Sequence, residues 1–179
     1  MQTGFSRKKS MVLAENAAYL VLALALSFVE AQFPLTLLVP IPGAKLGLAN
    51  LAVLLAVYRC GFLSGAAVSV TRVMLSSLLF GSPSSLVFSL SGALLSLGML
   101  ALLLPLYSRF LSWIGISAAC AAAHNVGQIL AAAVWMHESA VFWYLPVLLL
   151  TAVLFGTVTG AAANLISIHL PARGRRRSL

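Results

Sequence analysis

The scarcity of charge along most of the chain is the strongest constraint on its fold. Between Met11 and Leu170 there are 160 residues, of which seven are charged. They are Glu15, Glu30, Lys45, Arg59, Arg72, Arg109 and Glu138. Charged residues make up 8% of the whole chain, against roughly 25% in soluble domains. This composition excludes a soluble enzyme, a nucleic-acid-binding domain and a disordered chain, and it indicates an integral membrane protein.

The length of the low-charge region sets the number of membrane crossings. One spanning helix needs about 20 apolar residues, so about six or seven spans fit into a single polytopic domain over residues 1–179. The charge-free stretch from Val73 to Ser108 would be about 54 Å long as one helix, and it must fold back at Gly81–Ser84 because the hydrocarbon core is about 30 Å thick. Six spans are predicted, over approximately residues 11–32, 43–58, 62–80, 85–107, 112–135 and 140–170. The expected fold class is therefore an all-α integral membrane protein with six transmembrane helices.

The basic residues predict how this bundle is oriented. Six spans put both termini on the same side of the membrane. Nine of the eleven Lys and Arg residues then fall in the segments on that side: Arg7, Lys8, Lys9, Arg59, Arg109, Arg173, Arg175, Arg176 and Arg177. Because basic residues accumulate on the cytoplasmic side, both termini are expected there. Lys45 and Arg72 are the two basic residues that this rule leaves unexplained.

Arg72 is the most costly residue within the predicted spans. It lies about ten residues into the third span, near the membrane midplane, where an Arg costs about 2.5–3.5 kcal/mol on insertion scales. Asn50, His124 and Asn125 reach a similar depth in two other spans. Because a central charge needs a partner or a polar cavity, we expect these polar groups to meet inside the bundle.

These depths predict a pocket in the outer half of the membrane. Glu30 and Gln128 lie nearer to the outer surface, and Lys45 sits at the outer start of the second helix, whose N-terminus adds a partial positive charge. The predicted substrate-binding residues are Glu30, Lys45, Asn50, Arg72, His124, Asn125 and Gln128. Their combined charge suits an anionic or strongly polar ligand group.

Each of these residues also has a structural interpretation. Lys45 can extend to the outer headgroups, and Arg72 can form a structural ion pair with Glu30. Hydrogen bonds to neighbouring helices explain three further residues equally well: His124, Asn125 and Gln128. The apolar outer segment from Pro34 to Pro42 either covers the pocket as a lid or dips into the lipid interface. The sequence leaves these alternatives open.

The motifs of several enzyme classes are missing. A prenyl transferase holds metal ions on a diphosphate with clustered aspartates, and this chain has no Asp. No P-loop, no Cys/His metal spacing and no Gly-x-Ser-x-Gly nucleophile motif occurs. We therefore expect no enzymatic activity, no cofactor and no metal site. Any uphill transport would draw its energy from a partner or an ion gradient.

Several segments resemble one bacterial membrane family. The family is named heptaprenyl diphosphate synthase component I, and the resemblance covers about Ala14 to Leu165. The matching segments are Pro42–Asn50, Arg72 with Ser77–Gly81, Ser89–Ser96, Gly115–Ser117 with Ala123–Gln128, and Tyr144–Pro146.

The resemblance implies a transport function. The family is similar to the substrate-binding S components of energy-coupling-factor transporters, which are six-helix proteins of the bacterial cytoplasmic membrane. They hold a vitamin or metabolite in an outward-facing pocket and dock on a membrane coupling protein with ATPase subunits. Ala14 and Ala18 match the spacing of their docking motif. By this resemblance the chain binds a small anionic or amphiphilic metabolite, such as an isoprenoid or quinone precursor or a vitamin-like compound.

Two other functions stay open at this point. The protein could be a non-catalytic membrane accessory subunit of isoprenoid or quinone synthesis that binds a prenyl diphosphate. It could also be a membrane component of a flavin- and quinone-dependent redox assembly, to which some members of the family are linked.

We predict that both termini face the cytoplasm. In a variant without Cys60 and Cys120, single cysteines placed near either end should resist a membrane-impermeant thiol reagent in intact cells and react once the cells are opened. A cysteine at Glu138, in a predicted outer turn, is the matched control and should react in intact cells. Labelling of either terminus from outside would contradict the six-span topology.

Overall fold

The computed structural model describes residues 3–32 and 47–170, and it describes side chains from residue 10 onward. Six α-helices occupy these ranges: α1 Thr3–Ala31, α2 Asn50–Cys60, α3 Phe62–Phe80, α4 Pro83–Leu103, α5 Trp113–Met136 and α6 Leu145–His169. Short 3₁₀ helices at Leu104–Leu106 and Ser139–Tyr144 extend α4 and precede α6. The two described ranges contain no β-strand, so the predicted all-α class is confirmed for this part of the chain.

Five helical segments are long and apolar enough to cross a membrane. They are Ser10–Ala31, Phe62–Phe80, Pro83–Leu106, Trp113–Met136 and Ser139–His169. Each lies within a few residues of a predicted span. Large apolar side chains on their outer faces, such as Leu63 and Leu78, are 83% and 78% exposed. Such a surface suits hydrocarbon rather than water, and the protein is a multi-pass membrane protein.

The second predicted span differs from the observed helix. The prediction starts this helix at Gly43, but residues 47–49 are not helical and α2 begins at Asn50. Gly47 has a φ of +87°, a left-handed conformation that interrupts a right-handed helix. The 11 residues of α2 extend about 16 Å, which is too short to cross about 30 Å of hydrocarbon. Residues 43–46 lie outside the described part of the chain, and a sixth crossing stays a prediction.

Aromatic side chains from several segments meet at one end of the bundle. Tyr58 and Tyr107 both contact the ring of Trp113, at centroid distances of 6.0 and 4.4 Å. The Tyr58 hydroxyl donates to the carbonyl of Ser167, near the end of α6, at 3.1 Å. This end, called the basic end below, also holds two charged residues: Arg59 and Arg109. Its cytoplasmic location stays a prediction.

α1 and α2 run antiparallel and are connected at both ends of their contact. Arg59 Nη2 of α2 lies 3.6 Å from Glu15 Oε1 of α1. At the other end, the backbone N–H of Leu48 donates to Glu30 Oε1 at 2.7 Å. The short helix is therefore held against α1 by one carboxylate at each end.

Glycines set the distance between the helices of the core. α5 is the most buried of the spans, and it crosses α6 closely. A Cβ added at Gly160 would lie 2.5 Å from Ile114 Cα, so the two backbones are in direct contact. The hydroxyls of Ser117 and Thr159 share a hydrogen bond of 2.8 Å at the same crossing. Helices in lipid associate through small residues and hydroxyl pairs of this kind.

Replacing Gly160 with Ala should destabilise the protein. The added methyl group would overlap the backbone of α5, and overpacking costs about 1–3 kcal/mol. Gly98 in α4 is the matched control, because nothing lies within 4 Å of its Cβ position, and Gly98→Ala should be neutral or slightly stabilising. Thermal unfolding in detergent measures both, and equal melting temperatures would contradict the close crossing.

Candidate functional site

Five of the seven residues predicted to bind a ligand are buried inside the bundle. Each of these five is at most 4% exposed: Glu30, Arg72, His124, Asn125 and Gln128. Asn50 is half-buried at the first position of α2, and Lys45 lies outside the described residues. The polar groups are thus turned away from the lipid, as their cost in hydrocarbon requires. Ligand binding by these residues stays a prediction.

Arg72 forms the centre of a polar group between α1 and α3. Its Nη1 donates a long hydrogen bond of 3.4 Å to Ser27 Oγ of α1. The carboxylate of Glu30, one turn further along α1, attracts it electrostatically. The Nε of Arg72 is buried and has no hydrogen-bond partner among the described residues. Since a guanidinium has five N–H donors, this buried cation retains donors for a further acceptor.

The start of α2 lies beside this group. Glu30 accepts the backbone N–H of Leu48 at 2.7 Å, in the turn that leads into the helix. The N-terminus of α2 carries a partial positive charge, and it is placed inside the bundle because the helix begins only at Asn50. Helix N-termini at this depth bind anionic groups in membrane transporters. Arg72 and the N-terminus of α2 therefore both favour negative charge here, and the carboxylate of Glu30 supplies one such charge.

A small cavity continues the polar layer toward the basic end. Side chains from four helices line it, and five of them carry polar atoms or sulfur: Asn50, Ser69, Ser96, Ser117 and Cys120. The cavity has a volume of about 10 Å³ for the centre of a water molecule, which is enough for one water. Because Asn50 and Ser69 share this cavity, and Ser69 lies one turn before Arg72, α2 begins opposite the middle of α3.

The predicted residues of α5 contact two different helices. The His124 ring packs on α4, where a Cβ added at Gly92 would lie 2.9 Å from its Nε2. The amide of Asn125 donates to the carbonyl of Leu148 in α6 at 2.6 Å, so it connects α5 to α6 as the structural interpretation expects. Gln128 is buried one turn after His124. The structure brings Arg72 together with Glu30, and it places Asn125 on the side of α6.

Several buried serines belong to the polar layer and were not predicted. Ser27 accepts the hydrogen bond from Arg72, and Ser69 lines the cavity. The hydroxyls of Ser77 and Ser89 are buried without a hydrogen-bond partner in the described ranges. A usable signal was present in α3, where Ser69, Arg72 and Ser76 recur every three to four residues and therefore share one helix face.

Three other sequence predictions concern the docking residues, the lid and the absence of a metal site. Ala14 and Ala18, the predicted docking residues, are exposed on α1, and docking itself stays a prediction. The proposed lid from Pro34 to Pro42 lies outside the described residues. Within residues 3–32 and 47–170, no three His, Cys, Asp or Glu side chains are grouped so that they could hold a metal ion.

Comparison with known proteins places the chain in a family. The sequence profile of heptaprenyl diphosphate synthase component I matches residues 19–166. The chain belongs to this family. No curated protein and no solved structure matches it, so the resemblance to transporter S components has no support from these comparisons.

Glu30→Gln should destabilise the protein much more than Glu15→Gln. The amide of Gln can still accept the hydrogen bond from Leu48, but it cannot compensate the buried charge of Arg72. Loss of a buried charge partner costs at most about 3–5 kcal/mol, the range for a directly paired buried charge. Glu15 is partly exposed in its pair with Arg59, and such a pair contributes about 0–1 kcal/mol. Thermal unfolding of both variants is the measurement, and two equally small effects would mean that Glu30 does not stabilise Arg72.

Proposed function

We propose that this protein is a non-catalytic membrane component of isoprenoid synthesis that binds the diphosphate group of a polyprenyl compound inside its helix bundle. The observation behind the proposal is the buried guanidinium of Arg72, whose Nε has no partner among the described residues. Membership of the component I family supplies the class of compound.

A diphosphate fits the chemistry of this polar group. Its oxygens are hydrogen-bond acceptors, and a guanidinium pairs with phosphate oxygens through two parallel N–H donors. The N-terminus of α2 adds partial positive charge, and Asn50 at that terminus has an amide that can donate. Glu30 offsets part of the desolvation cost of Arg72, and a bound diphosphate would offset more of that cost.

The non-catalytic role follows from the composition. Synthesis of a prenyl diphosphate needs metal ions held by clustered carboxylates, whereas this chain has no Asp and three Glu residues. Glu15 and Glu30 lie at opposite ends of the contact between α1 and α2, so they cannot hold one metal together. The name "component I" implies a second component, and we propose that this partner performs the chemistry.

A second candidate function is substrate capture for a transporter, with a coupling protein and its ATPases as partners. The depth of Arg72 favours it, because a site halfway along α3 is more accessible to a molecule moving through the membrane than to the active site of a soluble enzyme. Both candidate functions require the same anionic ligand group. No contact within the described part of the chain argues for a redox assembly.

The test of the proposal separates the effect of the Arg72 charge on ligand affinity from its effect on the stability of the fold. Because Glu30 attracts Arg72, the double variant Glu30→Gln/Arg72→Gln removes both charges together and should be at least as stable as Arg72→Gln. Compared with Glu30→Gln, the folded double variant in lipid nanodiscs should bind geranylgeranyl diphosphate more weakly by about 1.5–3 kcal/mol, the range for a charged hydrogen bond. Calorimetry or native mass spectrometry measures this affinity.

Two controls sharpen this test. Arg72→Lys keeps the charge but loses the planar pair of donors, and its affinity should lie between the wild type and the double variant. Uncharged geranylgeraniol should bind wild type and double variant equally. Normal diphosphate affinity in a stable double variant would leave Arg72 with a structural role and contradict the proposal.

Copurification from gently solubilised membranes distinguishes the candidate functions. A soluble prenyl synthase bound to the tagged full-length protein supports the first candidate, and a coupling protein with ATPases supports the second. A flavoprotein would instead favour the redox assembly.

A further inference from the structure

The small cavity at the start of α2 lies where four helices meet. Each helix contributes one side chain with an oxygen atom: Asn50 from α2, Ser69 from α3, Ser96 from α4 and Ser117 from α5. The space for the centre of a water molecule is about 10 Å³, which is close to the least that a single water needs. The cavity therefore receives polar groups from four helices and has room for one small molecule.

Ser69 is the group in this cavity that most requires a partner. It is 4% exposed, and its hydroxyl has no hydrogen bond to another residue of the two described ranges. A buried hydroxyl without a partner is costly, and the cavity is the open space beside it. The Ser117 hydroxyl shares a hydrogen bond with Thr159 at 2.8 Å, but a hydroxyl has one donor and two acceptor sites, so it can serve a second partner. Two to four polar partners hold a buried water, and this cavity offers four.

The charge and the size of the surroundings decide which small molecule fits. Arg72 follows Ser69 by one turn on the same face of α3, and the N-terminus of α2 at Asn50 adds partial positive charge. No Asp or Glu lines the cavity, so a cation would be repelled. A phosphate needs space for four oxygen atoms, and a halide ion is larger than water. A neutral water molecule suits both the charge and the volume.

We infer that this cavity binds one water molecule, which bridges α2, α3, α4 and α5. The water satisfies the Ser69 hydroxyl and holds the side chain of Asn50 at the first residue of α2. Glu30 fixes the turn before this helix from the side of α1, and the water fixes the helix start from the side of α4 and α5. The inference is independent of the proposed function, because the water bridges these helices with or without a bound diphosphate.

Two serines of α3 provide a matched test. Ser69→Ala and Ser77→Ala each remove a hydroxyl that is buried without a hydrogen bond to another described residue, but Ser77 does not line the cavity. Ser77→Ala should melt at a higher temperature in detergent, because it loses an unpartnered hydroxyl and gains the better helix former. Ser69→Ala takes a partner from the water, and its melting temperature should fall by about 2–4 °C, the shift for one hydrogen bond in a chain of this length.

Direct observation of the water is the second measurement. A structure of the full-length protein in lipid, at a resolution that shows ordered solvent, should contain one peak about 2.7–3.2 Å from Ser69 Oγ and from the side chain of Asn50. An empty cavity would overturn the inference, and so would a rise in the melting temperature of Ser69→Ala equal to that of Ser77→Ala.

An ion in the cavity would also overturn the inference. A halide would give an anomalous signal after replacement of chloride with bromide, and a metal ion would lie about 2.0–2.6 Å from its oxygen ligands. Neither the melting experiment nor the structure uses a diphosphate, so failure of this inference would leave the proposed function intact.

Discussion

The arrangement of the first three helices depends on a permanent positive charge buried in an apolar bundle. A guanidinium cannot release its proton in this environment, so Arg72 must be compensated by groups that the fold brings to it. Ser27 and Glu30 of α1 provide that compensation. The same carboxylate of Glu30 accepts the N–H of Leu48, which fixes the start of α2. One buried charge thereby links α3 to α1 directly and to the start of α2 through Glu30, beside the apolar contacts that the three helices share.

This requirement gives α2 its unusual position. A helix of 11 residues has little apolar surface of its own to hold it in the membrane. Its N-terminal N–H groups would also be costly to leave without hydrogen bonds in hydrocarbon. Glu30 satisfies one such group in the turn before the helix. Gly47, with its φ of +87°, lets the chain enter this turn without strain. The partial charge of α2 and the full charge of Arg72 are therefore concentrated at one depth, where an anion is favoured.

The spans were predictable from sequence because length and hydropathy decide whether a helix crosses a membrane. The third predicted span, 62–80, coincides with α3, and four others agree within a few residues. The start of α2 was not predictable in this way, because a single left-handed glycine interrupts an apolar run without changing its hydropathy. Burial of Arg72 and Glu30 followed from their cost in lipid. The contacts of the buried polar residues were not predictable, since depth alone cannot decide whether the side chain of Asn125 faces a ligand or the carbonyl of Leu148.

The side from which Arg72 is reached is the physical difference between a component of synthesis and a component of uptake. If the basic end faces the cytoplasm, as the charge distribution predicts, the start of α2 and the carboxylate of Glu30 lie toward the outer surface. A solute captured from outside would then approach Arg72 past the first turn of α2. A polyprenyl diphosphate made by a cytoplasmic enzyme has its head at the inner surface instead, and that head would have to move to the depth of Arg72, halfway along α3. Uptake therefore requires a path from the end where α2 begins, whereas synthesis requires a path from the basic end.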